Sequence, residues 1–243
     1  MNGVLLSQTG KIGRPELKYI SVPEATSTHQ PISHYRIIEA LLETLSFRHI
    51  QVIREEYAVS PDGMKMFGIL DLEYGMTGVN FSIGIRNAND KSMRLAMTVG
   101  YRVLVCDNMA FHGDFMPVLH KHTKNLDLVE LVSIGVDKVQ RNFVPLQHQI
   151  EQWMCRPIED EQAKLIIYAA FVEGQLLMSR QLLPAVHRCF FNPEHEVFRA
   201  KTFWSLSNAF TSSFKELKPI SQFKVMAKLG PFLEDKSRLL PIT

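Results

Sequence analysis

Cysteine is scarce in this sequence, and the three that occur, Cys106, Cys155 and Cys189, are odd in number and far apart. Such a set suits reduced thiols in a cytosol and argues against a disulfide framework. No Cys-x-x-Cys pair exists, which removes a structural zinc site of the usual spacing. Long apolar runs are missing too: none approaches the length of a membrane span. Met1–Gly10 has no cationic stretch leading into an apolar core, so no signal peptide is expected. The expected setting is cytoplasmic, with no membrane partner. Neither sign of charge dominates, since 27 Lys+Arg against 25 Asp+Glu leave a net charge of +2. That balance neither demands nor forbids nucleic acid, because a local basic face matters more than the total. The sequence also lacks Gly-x-Gly-x-x-Gly, a phosphate-binding loop, His-Glu-x-x-His and Gly-x-Ser-x-Gly. The commonest nucleotide-binding, zinc-protease and hydrolase readings fall away with them, and no cofactor is expected.

What is present reads as a mixed α+β chain with a sizeable core, at 46% hydrophobic residues. Residues 1–30 carry scattered Gly and Pro and read as an arm. Pro31–Phe47 follows as an amphipathic helix: Ile37, Ile38, Leu41, Leu42 and Leu45 recur at helical spacing, and Ser33 can cap the start. Val52–Val59 is β-rich, and Ser60-Pro61-Asp62-Gly63 is a turn, with Met64–Tyr74 as the partner strand. Val79–Ile85 alternates cleanly, as does Met93–Val105 beyond the turn Asn87–Ser92. Four strands in sequence predict an antiparallel meander covered on one face by the first helix. From Leu126 to Trp153 the period is helical, with Pro145 expected to kink or split it. Helices are also predicted over Glu159–Gly174, over Gln181–Cys189 around Pro184, and over Thr202–Leu217 with Thr202 as cap. The architecture expected is a single domain over 1–243. It comprises the arm 1–30, helix plus meander 31–125, a helical part 126–217, and a proline-punctuated, partly ordered tail 218–243.

The densest polar cluster is Cys106, Asp107, Asn108, His112, Asp114, His120 and His122, where the last strand gives way to helical sequence. One reading is a metal site built on His112, His120 and His122 with a carboxylate. Another is a Cys106 nucleophile with a histidine base. The plainer reading has Cys106 as a small buried residue ending its strand, and Asp107 and Asn108 as caps that turn the strand into a helix. A second cluster is basic. Between Arg86 and Lys124, Arg86, Lys91, Arg94, Arg102, Lys121 and Lys124 outnumber Asp90, Asp107 and Asp114. Even offsets on paired strands repeat faces, so Arg86, Arg94 and Arg102 are candidates for one sheet face. Such a face, with Phe81 and Tyr101, could hold single-stranded nucleic acid by phosphate contact and base stacking. Against that stands an ordinary solvated face with the aromatics in the core. Lys215–Arg238 is a second basic stretch. His34, near a helix start, reads as a cap or surface residue.

Several motifs in order resemble a known family. Gly100-Tyr101-Arg102-Val103-Leu104-Val105-Cys106-Asp107-Asn108-Met109-Ala110-Phe111, then Lys121-His122-Thr123, resembles the bacterial and phage domain-of-unknown-function family 932, whose members are called phage/plasmid-like proteins. The turn Arg86–Ser92 is similar as well, although family members often carry histidine at or beside Asn89. Thr202-Phe203-Trp204-Ser205-Leu206-Ser207-Asn208-Ala209-Phe210-Thr211 resembles the family's closing motif, and Pro23–Thr26 and Pro31–His34 its amino-terminal elements. The matching positions include Cys106, Asp107, Asn108, His122, Trp204 and Asn208. The resemblance implies a role around mobile DNA and transfers no catalytic residue. The element order is also similar to single-strand annealing proteins that form oligomeric rings on DNA, which is a fold analogy and admits a homo-oligomer. The leading expectation is therefore a non-enzymatic DNA-associated protein with single-stranded DNA as partner. The alternatives are an enzyme with a metal or Cys/His site near Cys106–His122, and a protein-interaction module or inhibitor.

Overall fold

The computed structural model describes residues 11–27, 29–111, 118–120, 127–176, 178–217 and 219–239. The chain is mixed α+β and divides into two compact units rather than the one expected. The first comprises Met1–Arg102 with Phe115–Phe143, the second Val103–Asp114 with Val144–Thr243. The boundary anticipated at residue 125 does not hold, because the first half of the long helical region belongs with the sheet.

The first unit is built on an antiparallel sheet. Its strands are β1 (Lys11–Ile12), β2 (Val52–Val59), β3 (Lys65–Met76), β4 (Val79–Ala88) and β5 (Leu95–Val103), in that spatial order, with β7 (Val118–His120) against β5. The predicted four-strand meander is its centre, extended by strands that periodicity does not reveal. Ser60–Gly63 forms the β2–β3 turn: Gly63 N–H donates to the Ser60 carbonyl at 2.8 Å, and its φ of +72° needs a glycine. Register then decides which side chains share a face. Tyr57 opposes Gly68 and Leu70 opposes Ile83, so Tyr57, Leu70, Leu72, Phe81, Ile83 and Ile85 lie on one apolar side.

A single helical turn, α1 (Arg14–Leu17), follows β1 and buries Leu17. Helix α2 (His34–Phe47) buries His34, Ile37, Ile38, Leu41, Thr44 and Leu45, the stripe its spacing predicts. Ser33 occupies the cap position, but its side chain makes no capping hydrogen bond. The start of α2 is fastened differently. His34 Nε2 lies 2.9 Å from the Gly63 carbonyl, and His34 Nδ1 lies 2.9 Å from Asn87 Nδ2. The amide donates to one ring nitrogen and the other donates to the carbonyl, which fixes a neutral tautomer. His34 is thus a buried latch, not the surface or capping residue expected. At the far end, Arg48 Nε bonds Asp137 Oδ1 at 2.8 Å and Arg48 Nη2 bonds Ser133 Oγ at 2.7 Å, tying α2 to α3 (Leu128–Arg141). Phe143 completes the unit by stacking on Tyr74, with ring centroids 4.9 Å apart.

The long helical pattern is split near Pro145: α3 ends at Arg141, and α4 (Phe143–Cys155) takes the proline into its first turn. The second unit adds strand β6 (Asn108–Phe111), α5 (Asp160–Phe171), α6 (Leu183–Phe191), α7 (Phe203–Phe214) and α8 (Pro219–Leu239). Helix α7 is its axis, with every residue but Ser212 buried. Thr202 caps it as predicted, its side chain accepting from Ser205 N–H at 3.2 Å. Phe210 stacks on Phe171 and meets Phe214 and Phe232. Each fully buried phenylalanine of this kind contributes roughly 2–3 kcal/mol. The hydroxyls that a helix buried all round must satisfy bond back to its own backbone, as Ser213 Oγ does to the Ala209 carbonyl at 3.1 Å. The expected tail is a 21-residue helix, α8, that carries Pro231 within it.

Candidate functional site

Two polar constellations stand out, one in each unit. The first lies on the sheet face opposite the apolar side. Asp71 opposes both Arg54 and Ser82 in register, so these share a face with Glu56. Arg102 of β5 reaches the same group: its Nε is 2.6 Å from Asp71 Oδ2 and its Nη2 is 3.2 Å from Glu56 Oε1. Arg54 Nη2 contacts Glu56 Oε1 at 2.5 Å, and Ser82 Oγ donates to Asp71 Oδ1 at 2.6 Å. Arg102, Glu56 and Asp71 are each 2–3% exposed. Burial pushes the Asp71 carboxyl above its usual range, while Arg102 and Ser82 draw it back.

This cluster corrects the sheet-face reading. Arg86 and Arg102 do lie on one side of the sheet, as even offsets predict, but Arg102 is buried against two carboxylates and cannot meet a phosphate. Phe81 and Tyr101 are 0% and 1% exposed, which leaves no stacking platform from them. Arg86 is half-buried, whereas Lys91 and Arg94 are exposed at the β4–β5 turn, Lys91 with φ +65°. Lys121 and Lys124 lie outside the described residues. Strand periodicity does not reveal the buried carboxylates. The signal that could is Asp71 standing alone in the run Gly68-Ile69-Leu70-Asp71-Leu72, where an unpartnered charge would be prohibitive.

The second constellation gathers residues of the family-like motifs. Strand β5 stops at Val103, Leu104–Asp107 is a turn in which Asp107 takes φ +55°, and Asn108 begins β6. The segment therefore joins strand to strand, and the expectation that Asp107 and Asn108 cap a helix is overturned. Val105, expected to continue the buried alternation, is 50% exposed. Asn108 is 2% exposed, and its Nδ2 donates to both the main-chain carbonyl and Oδ1 of Asn208, each at 3.1 Å. Asn208 Nδ2 donates in turn to the Trp204 carbonyl at 3.0 Å. Lys215 Nζ donates to the Cys106 carbonyl at 2.6 Å. These residues border a cavity of about 380 Å³ whose walls also include Arg188, Cys189, His195 and Phe198.

The chemistry available at Cys106 is limited. Burial pushes its thiol above the usual value, outweighing the opposing pull of the Asn108 amide and Lys215. A thiol held in its protonated form is a weak nucleophile. For the metal reading, His112 and His122 lie outside the described residues, and of His120 only the backbone in β7 is placed. Among the described residues no group of three or more His, Cys, Asp or Glu is arranged to hold a metal ion. Nor, among them, is any helix long and apolar enough to cross a membrane. The sequence motifs point to Cys106, Asn108, Trp204 and Asn208 but not to Arg188, His195 or Lys215, which only the packing of α6 and α7 brings beside them.

No protein-family model, curated protein or solved structure matches this chain.

Proposed function

We propose that this chain is a non-enzymatic, DNA-associated protein of the phage/plasmid type, which contacts single-stranded DNA through backbone phosphates rather than stacked bases. The observation that carries this reading is the state of Lys91 and Arg94. Both are exposed at the β4–β5 turn, and neither has an ion pair among the described residues. The neighbouring Asp90 is engaged by Lys65 at 3.0 Å and by Ser92. Free cations beside a neutralised carboxylate are suited to phosphate. The family resemblance supplies the mobile-DNA setting, and the burial of Phe81 and Tyr101 removes stacking from the mechanism.

The test is fluorescence anisotropy of a labelled single-stranded oligonucleotide across a salt series. Binding should weaken linearly on logarithmic axes. Lys91→Glu with Arg94→Glu should lower the slope by roughly 0.7 for each phosphate no longer neutralised. No binding at low salt, or an unchanged slope in the double variant, overturns the proposal.

A further inference from the structure

We infer that the cavity of the second unit is a binding site for a small anionic ligand carrying a planar N–H-bearing ring, of the size of a nucleoside monophosphate. The packing leaves each amide at this cavity a single orientation. Asn208 Nδ2 must face the Trp204 carbonyl, which leaves its Oδ1 toward Asn108. Asn108 Nδ2 must then face Asn208, because a flipped amide would set its oxygen against two acceptors. The end of this relay is Asn108 Oδ1, a buried acceptor with no hydrogen-bond partner. A buried acceptor left unmet costs roughly 1–3 kcal/mol, so the site favours a ligand that presents a donor.

The other walls specify the rest of that ligand. Arg188 borders the cavity from α6, is exposed, and has no ion pair among the described residues. Lys215 spends one hydrogen on the Cys106 carbonyl and retains two more. Together they exceed the single carboxylate of the lining, Glu194, so the cavity favours an anion. Glu194 can accept from a sugar hydroxyl. Phe198 supplies a buried aromatic wall, with the His195 ring edge-on to it at 6.1 Å, a surface on which a planar ring packs. A volume of about 380 Å³ lies in the range of small-molecule clefts. The cations, the unmet acceptor and the aromatic wall match, in order, the phosphate, the ring N–H and the ring plane of a mononucleotide.

The experiment is calorimetric titration of the full chain with the common nucleoside monophosphates, the corresponding nucleosides, and inorganic phosphate. At least one monophosphate should bind more tightly than its nucleoside and than phosphate alone. Arg188→Glu, a surface change that leaves thermal unfolding in place, should weaken that binding by about tenfold or more. Asn108→Asp should alter the preference among bases, and Lys215→Met gives an independent reading if that variant does not fold. Lys91→Glu with Arg94→Glu should retain full nucleotide affinity, which separates this site from the proposed DNA contact. Absence of binding at millimolar ligand, equal binding of phosphate alone, or indifference to Arg188→Glu overturns the inference.

Discussion

Asn108 Nδ2 sits 3.1 Å from both the carbonyl and Oδ1 of Asn208, a residue one hundred positions further along the chain. One amide group thereby ties the first residue of β6 to the middle of the buried helix α7. Both asparagines are at most 3% exposed, so the two bonds form where water cannot replace them.

Removing this tie should be costly. Asn208→Ala strips the Oδ1 acceptor from Asn108 and the donor from the Trp204 carbonyl, with an expected loss of roughly 2–3 kcal/mol in urea-induced unfolding. Asn108→Ala should cost a similar amount, and the double variant clearly less than the sum. Strict additivity would show that the pair does not act as a unit.

Breaking the ion cluster on the sheet should cost more. Arg102→Met leaves Glu56 and Asp71 buried without their shared cation, and should destabilise the protein by roughly 3–5 kcal/mol. Asp71→Asn should be milder, because burial already raises that carboxyl and Ser82 can donate to the amide oxygen. Thermal unfolding of the two variants should rank them in that order, and the reverse ranking would refute the assignment.

His34 makes folding pH-dependent. Burial lowers its pKa in the folded state below the ordinary histidine value, so the unfolded chain takes up the proton more readily. The stabilisation is fully present above about pH 6.5 and is lost as pH falls from there toward the lowered folded value. His34→Gln should flatten this part of the stability-against-pH curve. An equally steep fall in the variant would assign the acid sensitivity elsewhere.

Thiol labelling should separate the cysteines. Cys155 is exposed, whereas Cys106 is half-buried with its thiol pushed up. Under limiting iodoacetamide, mass spectrometry should find Cys155 modified first and Cys106 slowly. Rapid modification of Cys106 would reopen the nucleophile reading.

The elements of this protein are legible in its sequence because each is set by short-range periodicity. The i, i+4 stripe Ile37–Leu41–Leu45 marks α2, the alternation from Leu95 to Val103 marks β5, and Thr202 marks where α7 begins. Pro145 and Pro184 stand near helix starts, where a proline punctuates, but Pro231 lies inside a long helix that composition makes look like a tail. What periodicity cannot carry is the fate of a polar residue on a strand face. Arg102 and Arg94 look alike in sequence, yet one is buried against two carboxylates and the other is exposed. That difference arises from partners on β2 and β3, 31 to 46 positions away, which only strand register aligns. The same holds for the cavity. The sequence alone determined that Asn108 and Asn208 are small amides suited to turns and buried bonds. Tertiary packing decided that they meet, that Asn108 is left with an unmet acceptor, and that Arg188 and Lys215 stand beside it, because hydrogen bonds and charges act through space and not along the chain.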